Sequence, residues 1–451
     1  MARRPSVKPG PLWHFPVPTG RRLDNGLTVD RFDLPGQRVV TMTVLLDAPL
    51  TAEPRDLEGV AALTMRALDE GTLAHPGAAL VDALEGCGAA TADAGAGLDG
   101  ATITVDAPAT RLDVALPLVA ELVTSPAFAS DDVERLVEDR LLTIATGDAS
   151  PPVCAAKALH AALGNRPGDP AGDHRLARPF AGDSDTVASL TPDALRAWHA
   201  AAARPDRARL MLAGDLPDGV DELVDAAFGA WQASDARPLP AAVPPPGAPI
   251  RRVVLVDRPA AAQVSIRLGT LTPSRTSPDW PALQVANAAI GSMFGSRLNN
   301  LLREQRGLTY GAGSGLGPTR ATAFFTAQAE CRPDAAAEAT RLALDVLNVA
   351  AEPITAAEVA DAIAFITGAT PLRLSTAEAV AAQATGFALG GVEASWFDDY
   401  MAAVRRVTPD DATAAFARHV RPDDLVIALC GPADSLVPAL ANVGLAAEVH
   451  T

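Results

Sequence analysis

Two side chains that can each donate hydrogen bonds, Arg303 and Tyr310, lie seven residues apart late in the sequence. Leucines at helical spacing predict a helix over Ser296–Gln305, Gly307 can adopt the left-handed conformation that ends it, and a β-prone run follows at once. A guanidinium and a phenol on two rigid elements that meet at a tight corner could both donate to one substrate carbonyl oxygen. Taken alone, such a pair more often has a purely structural role.

The elements that must position this pair belong to the second of two similar parts of the chain. Six prolines fall between residues 236 and 250, which excludes a helix or a central strand there and predicts an extended linker. We therefore predict an N-terminal unit over residues 1–235, a linker over 236–250 and a C-terminal unit over 251–451.

Each part shows the same order of patterns: two strands, two helices, a hairpin, a run of helices, one strand and one helix. In the first part an Asn-Gly turn at Asn25 precedes the alternating, β-branched run Val39–Leu46. In the second, strands over Arg252–Asp257 and Gln263–Leu268 precede a helix over Trp280–Ile290. The repeat predicts an α+β fold of two homologous halves, each a mainly antiparallel sheet with helices packed on one side.

Glycine alternates with other residues after Tyr310, at positions 311, 313, 315 and 317. No Gly-Lys-Ser/Thr sequence follows, which excludes a phosphate-binding loop. Alternating glycine in a strand predicts that a neighbouring backbone approaches closely.

Charge and composition restrict the possible partners. The 451 residues carry a net charge of −17, which argues against nucleic acid or an anionic membrane as the main partner. The four cysteines are far apart and form no CxxC pair, so we expect free thiols in a reducing compartment. With no signal-peptide core and no apolar run long enough to span a bilayer, the sequence predicts a cytoplasmic protein without membrane contact.

Several strings, in the same order and spacing over both halves, resemble the insulinase-like zinc peptidases, the M16 family of pitrilysin and the mitochondrial processing peptidase. Leu23–Leu27 is similar to the family's opening LxNGL, and Gly59–Thr72 has the frame of its GLAHxxEHxxxxGT helix. Ser296–Leu298 and Leu302–Gly311 match the family's C-terminal unit. The resemblance extends from about Leu23 to Leu445 and implies two α+β halves that enclose a central cavity.

The same resemblance implies a zinc site that this chain lacks. The family uses two histidines four residues apart, a glutamate between them as general base, and a distant glutamate ligand. The histidine positions hold Ala62 and Arg66, the base position holds Met65, and the distant ligand falls at Thr143. Because the seven histidines of the chain include no His-x2-His or His-x3-His pair, we expect no metal cofactor in this chain and zinc in a partner chain.

Arg303 and Tyr310 match the arginine and tyrosine that the family's C-terminal unit directs at the substrate carbonyl. The resemblance therefore implies a catalytic and substrate-binding role for both residues, in a subunit that is inactive alone. Paired with a zinc-motif-bearing insulinase-like chain, it would form a heterodimeric metallopeptidase for short or unfolded peptides. Two alternatives stay open: a catalytically inactive peptide-binding or scaffold subunit, and a self-sufficient enzyme with an unfamiliar metal site.

Overall fold

A computed structural model describes residues 13–165, 173–245 and 251–450. The strands are Thr19–Arg22 (β1), Thr28–Asp33 (β2), Val39–Leu46 (β3), Ala90–Gly97 (β4), Gly100–Pro108 (β5), Ala208–Gly214 (β6), Arg252–Asp257 (β7), Val264–Pro273 (β8), Thr309–Pro318 (β9), Thr322–Cys331 (β10), Val426–Gly431 (β11) and Glu448–His450 (β12). The α-helices of the first part are Val60–Ala67 (α1), Ala78–Gly86 (α2), Leu112–Thr124 (α3), Ser130–Asp148 (α4), Pro151–Gly164 (α5), Ser184–Ala188 (α6), Pro192–Ala202 (α7) and Val220–Phe228 (α8). Those of the second are Trp280–Asn287 (α9), Arg297–Asn299 (α10), Ala336–Leu347 (α11), Ala356–Arg373 (α12), Ala377–Leu389 (α13), Trp396–Val404 (α14), Pro409–His419 (α15) and Ala433–Asn442 (α16).

The strands form two six-stranded sheets with a common plan. The first has the order β1-β2-β6-β3-β5-β4, and the second has the order β12-β7-β11-β8-β10-β9. In the first, β6 pairs parallel with β2 and antiparallel with β3, and in the second, β11 pairs parallel with β7 and antiparallel with β8 in the same way. The α+β fold of two similar halves, each with a mainly antiparallel sheet packed against helices, is confirmed.

The prediction that helices lie on only one side of each sheet is wrong. In β6, Leu210 and Leu212 face the core of the first half, whereas Met211 and Ala213 pack in a separate cluster against α13 of the second half. Since successive side chains of a strand point to opposite faces, α13 covers the second face of the first sheet.

Helix α5 of the first half in turn covers one face of the second sheet, where it packs on β8 and β11. There Ile427 and Leu429 face the core of the second half, while Cys430 contacts Cys154 and Ala155 of α5. Burial on both faces explains why nine of the ten residues of β8 are buried.

The proline-rich linker is irregular over residues 236–245, and its remaining positions, 246–250, lie outside the described residues. Its backbone is bound to the first half: the N–H of Val243 donates to Thr51 Oγ1 at 3.1 Å. A ring nitrogen of His174 lies 2.9 Å from Val243 O. Within the described residues, no helix is long and apolar enough to cross a bilayer.

Candidate active-site corner

The helical segment before Arg303 departs from the regular α-helix that its leucine spacing predicts. After one α-helical turn, α10, Asn300–Gln305 forms a π-helix, in which Arg306 N–H donates to Leu301 O, five residues back, at 3.1 Å. The helix predicted over Trp280–Ile290 changes in the same way, because α9 ends at Asn287 and Ala288–Ser292 is a second π-helix. Short π segments are rare and often accompany functional sites.

The π segment Ala288–Ser292 packs directly against β9. A Cβ atom at Gly291 would lie 2.5 Å from Ser314 N, so only glycine lets this segment approach the strand so closely. Nearby, the Ser314 hydroxyl donates to Asn287 Oδ1 at 2.6 Å. The segment Ala288–Ser292 is therefore held directly on the strand that carries Tyr310, and Asn300–Gln305 packs on the same strand.

The predicted left-handed glycine forms the corner itself. Gly307 has φ of 61°, and its N–H donates to Arg303 O at 3.1 Å. The N–H of Leu308 then donates to Leu302 O at 2.9 Å, which satisfies a further carbonyl of the last turn. The strand β9 begins at Thr309, so Arg303 and Tyr310 do lie on either side of one tight turn.

Tyr310 lies in a β-bulge. Ala312 pairs with Ala329 and Thr309 with Cys331, so β9 has one extra residue where Tyr310 and Gly311 stand opposite Glu330. The Thr309 hydroxyl oxygen lies 2.6 Å from Glu330 O and 2.8 Å from Gly311 O, which clamps the bulge. Bulges change the direction of a side chain, and here the phenol of Tyr310 is 90% exposed.

Arg303 is stacked on an aromatic ring that the sequence did not single out. Its guanidinium carbon lies 5.1 Å from the ring centroid of Phe294, which is itself 74% exposed. The only carboxylate paired with it in the described part of the chain is that of its neighbour Glu304, at 3.4 Å. An exposed pair of this kind contributes little, so the guanidinium remains available to a ligand.

Within the described residues, neither the Arg303 guanidinium nor the Tyr310 hydroxyl donates a hydrogen bond to another protein group. Tyr310 is exposed and the Arg303 side chain is 40% exposed on the same corner, and three of the four alternating glycines leave the strand beside them open. A Cβ atom at Gly311, Gly315 or Gly317 would meet nothing within 4 Å. Only Gly313 has a backbone atom close by, Gly291 O, so the predicted close approach is wrong for the other three because β9 is the edge strand.

Arg297, in the matched string Ser296–Leu298, has a structural role. Its guanidinium lies 2.6 and 2.7 Å from the two carboxylate oxygens of Glu358 and donates to Glu352 O and Pro353 O. Although burial raises the pKa of Glu358, the hydrogen bonds from Arg297 and Thr355 outweigh it and hold this pKa at about 2. The ion pair fixes α10, the start of the corner, to the first turn of α12.

The four positions that correspond to the zinc ligands and the general base of the family, here called the zinc-frame positions, lie on α1 and α4, which pack against each other. Ala62 is half-buried and Met65 fully buried, while Arg66 is exposed and pairs with Asp69 at 3.1 Å. The Thr143 hydroxyl on α4 donates to Asp139 O at 2.8 Å. None of these side chains offers an imidazole, thiolate or carboxylate, so the residues present do not fit a zinc ion.

Among residues 13–165, 173–245 and 251–450, no three His, Cys, Asp or Glu side chains lie close enough together to bind a metal ion. The histidines have other contacts: His75 lies 2.8 Å from Glu121, and His419 lies 2.7 Å from Asp279. All four cysteines are buried and free of disulfides, as the sequence predicts.

Family models match two segments of the chain. Residues 33–168, which include the zinc-frame positions, match the model described as insulinase (peptidase family M16). Residues 189–365, which include Arg303 and Tyr310, match the model described as the peptidase M16 inactive domain.

Relatives and solved structures agree with these matches. An uncharacterized zinc protease of Mycobacterium tuberculosis is 31% identical over 330 residues, covering 71% of this chain and 72% of its own length. The crystal structure of a peptidase M16 inactive domain from Pseudomonas fluorescens superposes with a TM-score of 0.83 at 25% identity, covering 92% of this chain and 98% of that one. A protease from Helicobacter pylori shares the fold, with a TM-score of 0.83 at 18% identity over 93% of this chain and 100% of its own.

Proposed function

This chain belongs to the insulinase, or M16, peptidase family, and we propose that it is the arginine/tyrosine subunit of a zinc peptidase completed by a second chain. The second chain would be an insulinase-like subunit with an intact zinc helix. The complex would hydrolyse short or unfolded peptides, and this chain alone would be inactive.

The observation that carries the proposal is the contrast between the two halves. Arg303 is half-buried and Tyr310 is exposed, and both lie on a clamped corner of the second half, where their polar ends donate no hydrogen bond to the residues that the structure describes. In the first half, the zinc-frame positions hold side chains that cannot bind zinc. A chain that keeps carbonyl-binding groups but has no metal ligands fits one part of a shared active site.

The role of the two residues follows from their chemistry. A peptide carbonyl oxygen gains negative charge when water adds to the carbonyl carbon, and fixed donors lower the energy of that state more than that of the substrate. The guanidinium of Arg303 supplies a full positive charge, and the phenol of Tyr310 supplies a neutral donor. Each well-placed donor contributes about 3–4 kcal/mol to such stabilisation. Zinc, which would activate the water, would be held by the partner chain.

Two arginines on the same corner give a matched test. The chain is produced together with an insulinase-like partner that has an intact zinc helix, and peptide cleavage is measured for Arg303→Gln and Arg306→Gln. Arg306 is exposed, and in the described part of the chain its nearest carboxylate, Glu338, is 3.8 Å away. We expect kcat to fall by about 10²–10³-fold for Arg303→Gln and to stay within about twofold for Arg306→Gln. Equal activities of the two variants would rule out the proposed role of Arg303.

The second candidate function, an inactive peptide-binding or scaffold subunit, is favoured by the match of residues 189–365 to a model described as an inactive domain. It differs from the first in what the chain does alone. Tight peptide binding without any cleaving partner, unchanged by Arg303→Gln, would favour the scaffold function.

A further inference from the structure

A cavity of about 260 Å³ lies in the helical layer of the second half, between α9, α12, α13 and α14. We call it the Arg275 cavity. Its polar lining is rich in hydrogen-bond donors, from Arg275, Gln284, Arg373, Gln383, Trp396 and Tyr400. This cavity is smaller than the roughly 300–1,000 Å³ typical of sites for drug-sized molecules, which limits a ligand to a small molecule or one residue of a longer one.

Charge distinguishes this cavity from the rest of the molecule. The chain as a whole has a net charge of −17, yet no Asp or Glu lines the cavity, whereas two arginines do. In the part of the chain that the structure describes, neither Arg275 nor Arg373 forms an ion pair. Arg275 donates to Gly386 O near the end of α13, and the guanidinium carbon of Arg373 lies 5.2 Å from the ring centroid of Phe365.

Neutral contacts thus hold both cations in place and leave further N–H donors free, since a guanidinium has five. Burial lowers the pKa of Arg275, and the Asp99 carboxylate, which forms no ion pair with it, opposes this effect only in part. The Asp99 carboxylate already accepts the N–H of Arg320 at 2.9 Å. A half-buried cation without a close counter-ion is costly, and an anion in the cavity would remove that cost.

The remaining walls indicate what kind of anion would fit. Trp280, Phe365, Phe387 and Trp396 make much of the cavity aromatic and apolar. Burial raises the pKa of Tyr400, which keeps its hydroxyl a neutral donor. An inorganic ion would leave the aromatic surface without a partner.

We propose that the Arg275 cavity binds an organic carboxylate on a small apolar body, with the carboxylate at the two arginines and the body against the aromatic walls. Two sources carry this chemistry: the C-terminal residue of a peptide and a free small acid. This inference does not depend on the proposed peptidase role, because binding is measured on this chain alone.

Two tryptophans in the wall provide the signal for a direct test. The full chain is titrated with phenylacetate, with a short peptide that ends in phenylalanine, and with the same peptide amidated at its C-terminus, while tryptophan fluorescence is recorded. We expect a saturable change with at least one of the two carboxylates and at least about tenfold weaker binding of the amidated peptide. Tighter binding of the free-acid peptide than of phenylacetate identifies a peptide terminus as the ligand, and the reverse order identifies a free acid.

Variants localise the binding without disturbing the fold. Arg373 is exposed at the end of α12, so Arg373→Gln should preserve folding while it weakens carboxylate binding by about tenfold or more. Arg332→Gln, at an arginine with 74% of its side chain exposed outside the cavity, should leave the affinity unchanged, and Trp396→Phe should reduce the signal. No saturable change up to roughly 10 mM of either carboxylate, or equal affinity of the wild type and Arg373→Gln, would overturn the proposal.

Discussion

Arg303, with 40% of its side chain exposed, and the exposed Tyr310 both lie on a fixed backbone. A π-helix carries one and a bulge clamped by Thr309 carries the other, so their Cα positions are set even though their side chains reach into solvent. Phe294 restricts the guanidinium further by stacking beneath it. Such preorganisation lowers the entropy that a ligand must remove when it is bound.

The stack on Phe294 leads to a prediction about positioning. Phe294→Ala removes a cation–π contact of about 0.5–1 kcal/mol at an exposed site, so kcat/KM of the two-chain peptidase should fall by about two- to fivefold. Phe294→Trp, which keeps an aromatic face, should restore most of the loss. The measurement is peptide cleavage, together with the free energy of unfolding. That free energy should not change, because Phe294 is 74% exposed; a large fall in it would show a structural role instead.

The zinc content of the purified chain tests whether the zinc-frame positions can hold a metal ion. With Ala62, Met65, Arg66 and Thr143 at the four positions, we expect the purified chain alone to contain no stoichiometric zinc by elemental analysis. The partner-containing complex should contain one zinc ion per heterodimer. One zinc per isolated chain would support the self-sufficient enzyme instead.

Spacing in the sequence was enough to place Arg303 and Tyr310 on either side of one corner, because Gly307 marks the end of the helix between them. Their selection as candidate site residues required the resemblance to the M16 family. The contribution of Phe294 could not be predicted in this way. It is nine residues from Arg303 with no periodic relation that signals contact, and an exposed phenylalanine has no sequence signature. The bulge at Tyr310 likewise depends on how β9 pairs with β10, which a single strand does not encode.

At the scale of elements, the ion pair between α10 and α12 makes stability depend on pH. The ordinary pKa of a glutamate is 4.5, and Glu358 in the folded chain has a pKa of about 2. Because the folded pKa is the lower one, the pair stabilises the fold above pH 4.5, and this contribution is lost as the pH falls from 4.5 towards 2.

The corresponding measurement is the free energy of unfolding at several pH values. Glu358→Gln should be less stable than the wild type at neutral pH, and the difference should shrink as the pH falls towards 2. Glu378→Gln, at an exposed glutamate in the first turn of α13, should follow the wild-type curve. A difference between Glu358→Gln and wild type that does not vary with pH would contradict the role of this ion pair.

Strands and long helices were predicted closely: Val39–Leu46 and Pro409–His419 have the predicted bounds. Alternation and capping residues determine such elements locally. The π segments were not predicted, because they accompany the contact of Gly291 with Ser314, which lies 23 residues further along the chain. The short helix Ser184–Ala188, the helix Trp396–Val404 and the strand Glu448–His450 were missed for lack of a clear apolar period.

At the scale of the whole molecule, the two halves exchange helices and share apolar surface. Leu159 on α5 packs against Gly269 of the other half's sheet, where a Cβ atom would lie 3.0 Å from both of its methyl carbons. Amphipathic spacing shows that a helix has an apolar face but not which sheet covers it. For this reason, the exchange could not be predicted from the sequence.

This exchange predicts that the halves unfold together. Leu159→Ala leaves a cavity between them and should cost about 2–5 kcal/mol of the free energy of unfolding, in a single transition measured by denaturant titration. Leu142→Ala, at a leucine that is 67% exposed, is the matched control and should change it by less than about 0.5 kcal/mol. Two separate transitions, with only one affected by Leu159→Ala, would contradict the coupling.

The central claim is that this chain contributes Tyr310 and Arg303 to an active site whose zinc is held by another chain. The most direct test adds increasing amounts of wild-type or Tyr310→Phe chain to a fixed amount of the zinc-bearing partner and measures peptide cleavage. We expect activity to saturate at one chain per partner for the wild type. Tyr310→Phe should saturate at the same stoichiometry, but with a kcat at least about 10²-fold lower. Full activity of the partner alone, or equal kcat for both forms of the chain, would contradict the account.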